Sequence, residues 1–233
     1  MDSSFNAVEK SLEIIEAFAE VKKEQSISEI SKKTGFNKST IIRLMISLEK
    51  YNYISKVGKN RYSLGPNFLR FSKIYKGNFN ILEVALPYIK SLVSKTNLSA
   101  GLFIKVGDSS RLCILKENPK TPLVSSTEVG DIKSISDDGV SSYIFRAFEK
   151  KNLRDMKLQS IRDDFFVVKI RKDRHSAIAA PIFDLNNEVN YSLSLVGDKD
   201  ILHKQIKNLS KEILITADII SNLNGGNRSK VTF

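Results

Sequence analysis

The sequence predicts an α+β protein in two parts: an N-terminal winged helix-turn-helix and a C-terminal antiparallel sheet flanked by helices. Three observations carry this expectation. Residues 27–64 run as helix, glycine turn, helix and two-stranded ribbon. Basic residues crowd the same region: between Ile30 and Leu82 there are eleven Lys or Arg and one acid, Glu49. From Ala100 onward, short strands alternate with turn residues and end in one long amphipathic helix.

The chain has 233 residues, 41% of them hydrophobic, enough for two modest packed units. Its net charge is +11, and clustering of that charge on one substructure favours an anionic polymer as partner. A single cysteine, Cys113, excludes an internal disulfide, and its setting in the apolar run LCIL reads as a buried thiol. No run approaches the ~18 apolar residues of a membrane span. The N-terminus MDSSFNAVEK lacks a signal-peptide core, so a cytoplasmic protein is expected, with no membrane partner.

A first helix is expected over 6–20, capped by Ser3 or Ser4, burying Leu12, Ile15, Phe18 and Ala19. Ser28 is expected to cap the second helix, Ile30 to anchor it and Gly35 to end it in a left-handed turn, with Phe36 as the apolar plug. The third helix begins near Lys38 and ends near Tyr51. Ile41, Leu44, Met45 and Leu48 form its inward stripe. Lys38, Ser39, Thr40 and Arg43 fall outside that stripe on the first turn and a half. Hydroxyls and backbone amides suit phosphates, and Arg suits guanine O6 and N7. Ile42, near the same face, suits either a thymine methyl or packing on the wing. Residues 53–57 alternate as a strand, Gly58-Lys59-Asn60 turns, and 61–64 return. Lys56, Lys59 and Arg61 at the tip of this ribbon are then placed to contact a DNA backbone or minor groove.

These motifs resemble the IclR family of bacterial transcription regulators. The similar stretches are AVEKSLEIIEAFAE, SISEISKKTGFNKSTIIRLMISLEKYNYI and RYSLGPNFLRFSKIY, with the KST-x-x-RL core and the Tyr-Ser-Leu-Gly close of the wing occurring together. Weaker similarity runs on through NILEVALPYIKSLVSKTNLSAGLFI, AIAAPIFDLNNEVNYSLSLVG and HKQIKNLSKEILITADIISNLNG. The resemblance implies a GAF-like C-terminal domain with a small-molecule pocket on one face of a curved sheet. Two segments depart from the family's pattern. Ser136–Tyr143 replaces a His-Ala-Thr-Ala-x-Gly-Lys-Ala-like stretch, and Lys169–Ser176 replaces a stretch that usually carries acids and often Cys.

The expected domains are a DNA-binding domain over 1–65, a linker helix over 66–78, an effector and oligomerisation domain over 79–224, and a flexible tail over 225–233. In the third of these the residues predict a helix over 80–96, starting near Ala85 or kinked at Pro87. Strands are expected over 100–106, 111–116, 122–128, 165–170, 175–183 and 189–196. Helices are expected over 139–150, 153–161 and 198–223. Asp137, Asp138, Ser141 and Ser142 near a helix start, with His175, are the candidate effector pocket, and Arg171 and Arg174 add cations if they face inward. No spacing joins His175, His203 or Cys113 into a catalytic or metal-binding set, so neither an enzyme nor a cofactor is expected. The expected partners are double-stranded operator DNA, a small-molecule effector and further copies of the chain, as a dimer or tetramer. Two other readings remain: a ligand-independent DNA-binding regulator with a vestigial pocket, and a winged-helix protein-interaction module.

Overall fold

The computed structural model describes residues 7–18, 24–78, 80–120, 125–149, 155–171 and 175–230. The chain divides into two compact units, Met1–Asn78 and Phe79–Phe233. It is α+β, with an N-terminal winged helix-turn-helix and a C-terminal antiparallel sheet flanked by helices.

In the first unit α1 (Ala7–Glu16), α2 (Ile27–Thr34) and α3 (Lys38–Lys50) precede β1 (Ile54–Val57) and β2 (Arg61–Leu64). Ile14, Ala17, Phe18, Ile30, Ile41, Met45, Leu48 and Ile54 form its core. Leu12 is 55% exposed, against expectation, because Ile14 rather than Leu12 sets the buried edge of α1. Ser3, Ser4, Ala19 and Glu20 lie outside the described residues. Ser26, not Ser28, caps α2: its hydroxyl accepts from the Glu29 backbone N–H, and the Glu29 carboxylate accepts from the Ser26 N–H at 2.8 Å. This reciprocal box satisfies two otherwise unpaired donors, which Ser28, two residues later and already inside the helix, cannot do.

Gly35 takes φ +74 at the end of α2, and its N–H returns to the Ser31 carbonyl at 2.9 Å. The Ser31 hydroxyl donates to the Phe36 carbonyl at 2.7 Å, fixing the entry angle of α3. β1 and β2 pair antiparallel from Ile54↔Leu64 to Val57↔Arg61. Gln25 adds a short third edge through two 2.8 Å bonds with Tyr62. Helix α4 (Asn67–Asn78) follows, with Phe68 and Phe71 set against Tyr53 at centroid distances of 5.7 and 5.9 Å.

The second unit opens with α5 (Asn80–Thr96), which runs unbroken through Pro87. Pro87 and Glu83 are exposed, so water meets the carbonyl that proline leaves unpaired. The sheet comprises β3 (Ser99–Val106), β4 (Ser110–Glu117), β5 (Ile132–Ser134), β6 (Val167–Lys169), β7 (His175–Phe183) and β8 (Val189–Asp198), all antiparallel, in the order β5-β4-β3-β8-β7-β6. Residues 122–124 lie outside the described set and 125–128 form no strand; the edge beside β4 is β5, which the sequence pattern did not suggest. Short helices α6 (Val140–Ala147) and α7 (Gln159–Asp164) and the long α8 (Lys199–Leu223) complete the unit. Residues 153–154 and Arg174 lie outside the described residues.

One sheet face carries Leu102, Leu193, Leu195, Ile178, Ala180 and Ile182, packed with Ile89, Leu92, Leu209 and Ile213 from α5 and α8. The opposite face meets Val140, Ile144 and Ala147 of α6. Residues 225–230, expected as a flexible tail, are held instead. Gly225 bridges Asp184, and the Arg228 guanidinium lies 2.8 Å from the Asp218 carboxylate and over the Phe165 ring.

Gly35 meets no atom within 4 Å of an added Cβ, so its replacement tests backbone strain alone. Gly35→Ala is expected to destabilise the first unit by about 1–2 kcal/mol, and Gly35→Asn by clearly less, because asparagine visits the left-handed region. Equal losses in chemical denaturation would show that the turn does not depend on this conformation.

Candidate nucleic-acid interface and ligand cavity

Helix α3 has one buried and one bare side. Ile41, Met45 and Leu48 face the core, while Lys38, Ser39, Ile42, Arg43, Ile46, Ser47, Glu49 and Lys50 are exposed and Thr40 is half-buried. At 3.6 residues per turn, Ser39, Arg43, Ile46 and Lys50 lie opposite the core-facing stripe. Asn37 caps the helix without a side-chain bond, and the first-turn N–H groups of α3 point out of its end. Ile42 is 50% exposed, outside the buried core of the unit.

Lys56 and Lys59 are exposed on the ribbon, with Lys59 in the turn beside Gly58 at φ +68. Arg61 is placed differently from expectation. Its guanidinium donates to the Glu24 carbonyl at 2.9 Å and lies 3.3 Å from the Glu24 carboxylate and 3.9 Å from that of Glu29. Arg61 thus ties the ribbon to the start of α2, and part of its charge is already neutralised. Ile46 and Lys50 were not anticipated; helical spacing from Ser39 and Arg43 is the signal that marks them. Arg70 and Lys73 on α4 are exposed cations of the same unit.

In the second unit a cavity of about 390 Å³ opens on the sheet face that α6 borders. Its walls include Ser99, Gly101 and Phe103 of β3, Arg111, Cys113 and Lys116 of β4, and Ser194 and Val196 of β8. Asp137, Asp138, Ser141, Arg171 and His175 also line it, so these sequence candidates converge on one space. Ser142 does not line it. Its buried hydroxyl donates to Asp137 at 2.6 Å and accepts from the Arg111 Nε at 2.8 Å.

Arg111, absent from the sequence candidates, organises this end of the cavity. Its side chain is 5% exposed, its Nη2 lies 2.6 Å from the Asp137 carboxylate, and its guanidinium sits over the Phe103 ring. A Cβ on Gly139 would stand 2.5 Å from Arg111 Nη2 and 2.9 Å from Asp137 Oδ1, so a side chain there would displace the Arg111–Asp137 pair. Burial pushes the Asp137 pKa up, but hydrogen bonds from Ser142, Arg111 and Gly139 outweigh it and hold the carboxyl below its usual range. Asp138 is lowered too, by Lys169 and then Tyr143, and Arg171 donates to its carbonyl at 3.0 Å. Lys116 reaches the Ser125 carbonyl at 2.8 Å and the Glu128 carboxylate at 2.6 Å, while Lys133 donates to Thr127 at 2.8 Å.

The lining thus holds four cations, Arg111, Lys116, Lys133 and Arg171, against two carboxylates, Asp137 and Asp138. Strand alternation marks RLCILK as a strand but does not say which face opens on a cavity, so Arg111, Lys116 and Lys133 were not legible as site residues. Burial, then the nearby Asp131 charge, pushes the Cys113 thiol up to about 11, which keeps it neutral and unreactive at ordinary pH.

Because the folded pKa of Asp137 is depressed, its contribution is present above the usual carboxylate range and lost as pH falls through the lowered value. Asp137→Ala is expected to cost about 1–2 kcal/mol at neutral pH, below the loss for a fully buried pair because Asp137 is 35% exposed. The variant should also lose less stability than the wild type on acidification below about pH 4. Parallel acid-denaturation curves would remove Asp137 from the pH response.

The IclR helix-turn-helix domain model matches residues 7–58. Among curated proteins, the chain is similar to the transcriptional regulator KipR of Bacillus subtilis (strain 168), with 26% identity over 110 residues, 47% of this chain and 44% of that protein. The matched part therefore spans less than half the length of that relative. Similarity to the DNA-binding transcriptional repressor YiaJ of Escherichia coli (strain K12) is 24% over 229 residues, taking in 84% of this chain and 79% of that protein. The fold matches the crystal structure of an IclR homologue from Microbacterium hydrocarbonoxydans complexed with 4-hydroxybenzoate, with a TM-score of 0.80, 13% identity and coverage of 93% and 98% of the two chains. Residues 7–58 therefore form an IclR-type helix-turn-helix domain, and the chain as a whole has the fold of a solved IclR homologue.

Proposed function

We propose that the chain binds operator DNA through its N-terminal unit, acts in the cytoplasm as a transcription regulator, and responds to a small-molecule effector held in the C-terminal cavity. The observation that carries the DNA reading is the bare face of α3: Ser39, Arg43 and Lys50 are exposed on it, with Lys56 and Lys59 exposed on the adjoining ribbon. In this reading α3 enters the major groove, where Arg43 bonds a guanine and Ser39 and Thr40 hold the phosphate edge. Lys38, Lys56 and Lys59 contact backbone. Arg61 contributes less, since Glu24 and Glu29 already share its charge.

A dimer presents two such helices to half-sites ~34 Å apart or a multiple of that spacing. Exposed apolar side chains support self-association: Val8 and Leu12 on α1, Leu69 and Ile74 on α4. The cavity supports effector control over the ligand-independent alternative. It is open and polar at several points, and with Arg111 paired to Asp137 and Lys116 to Glu128 the lining cations Lys133 and Arg171 remain, which suits an anionic molecule. The structural neighbour solved with 4-hydroxybenzoate points the same way. Ligand binding shifts DNA affinity only if the ligand prefers one of the protein's states. This is a binding protein in our reading, not an enzyme: Ser142 is engaged by Arg111 and Asp137, and His175 stands exposed at the start of β7.

The test is a pair of variants on a duplex selected by the wild type. Arg43→Ala is expected to relax base preference at one position and cost about 1–3 kcal/mol. Lys59→Ala is expected to weaken binding to all sequences alike and lower the log–log salt slope by about 1. Unchanged base preference in Arg43→Ala would take that residue out of base readout. An unchanged salt slope in Lys59→Ala would take the wing tip off the DNA backbone.

A further inference from the structure

Two branched aliphatic side chains stand in water on the outward face of α3. Ile42 is 50% exposed and Ile46 is 63% exposed. They are four residues apart, so their Cβ atoms are neighbours on one side of the helix. Folding gives no reason for either. The core of this unit is formed by Ile41, Met45 and Leu48 from the opposite side, and neither isoleucine belongs to it. Isoleucine is a weaker helix former than the Lys, Glu or Arg usual at such positions. Single exposed apolar residues are ordinary; here an adjacent pair is set among Ser39, Arg43, Ser47 and Lys50.

We infer that Ile42 and Ile46 read the 5-methyl groups of thymines in the operator, so that each half-site carries two thymines beside the base pair contacted by Arg43. This rests on the proposal that α3 enters a major groove. The occupant follows from charge: the pair lies on a face whose exposed neighbours Lys38, Arg43 and Lys50 outnumber the single acid Glu49, and Lys56 and Lys59 add to it from the ribbon. That surroundings suit a polyanion, and the major groove of DNA is a polyanionic cleft with apolar methyl groups on its floor. β-Branched side chains are stiff at χ1 in a helix, which makes them selective for a methyl at one position rather than adaptable to several. Four residues of helix rise about 6 Å, close to two base steps of 3.4 Å, which sets the expected separation of the two thymines.

The experiment uses the full-length protein and the duplex it selects, with each thymine replaced in turn by deoxyuridine. Uracil keeps the O4 acceptor and its pairing and lacks only the methyl. Two positions per half-site are expected to bind about fourfold more weakly as uracil, the effect of one buried methyl. In Ile42→Ala one of those two positions should bind thymine and uracil equally; in Ile46→Ala the other should. Alanine favours helix and neither side chain supports the core, so both variants should melt as the wild type does. A fully uracil-substituted operator bound as tightly as the thymine form would overturn the inference while leaving the DNA reading intact. So would variants that weaken thymine and uracil duplexes alike. Failure to select any duplex would remove the underlying reading as well.

Discussion

The two-residue period of the antiparallel sheet governs the second unit. Neighbouring residues of β3, β7 and β8 must point to opposite faces, so each strand supplies two surfaces at once. Leu102, Leu193, Leu195, Ile178 and Ile182 build the aliphatic side on which α5 and α8 lie. Their alternates Ser99, Gly101, Ala177 and Ser194 are small, and the space they leave becomes the cavity. The register that buries the leucines is therefore the register that opens the site. A one-residue slip would lose both together.

Within that space the electrostatics follow from one buried cation. Arg111 projects from β4 into the cavity wall and is compensated by Asp137, Ser142 and the Phe103 ring. A buried guanidinium left unpaired is costly, so Asp137 is held ionised, and the bare Cα of Gly139 leaves the pair its room. The departure of residues 136–143 from the family's pattern has a physical counterpart here: the loop serves the arginine as well as lining the cavity. Lys116 is paired with Glu128, so Lys133 and Arg171 are the cations that leave the remaining wall positive.

Much of the architecture was legible because it rests on local rules. Gly35, the α3 stripe, the 61–64 return of the wing and the span of α8 each follow from periodicity or turn chemistry. The misplacements share a cause, which is competition between equivalent local choices. Ser26 and Ser28 are both cap residues, and only the Glu29 box decides between them. Leu12 and Ile14 both suit a helix face, and contact with α2 and α3 decides which is buried. The three-residue β5 is too short to carry a period. At the candidate site, Asp137, Asp138, Ser141 and His175 were visible from their nearness to a helix start or strand end. Arg111, Lys116 and Lys133 were not, because inward and outward faces of β4 and β5 are distinguished only by tertiary packing. The partial neutralisation of Arg61 likewise needed Glu24 to be brought to it across the wing.

In the proposed function the first unit reads a specific DNA sequence as a symmetric pair. Selection of genomic fragments by the purified full-length protein at roughly 150 mM salt, followed by sequencing of the retained DNA, tests it most directly. Enrichment of a pseudo-palindromic site is expected, with half-sites one helical turn, or a multiple, apart. Retention of fragments with no shared motif would contradict it and leave only a basic surface without sequence readout.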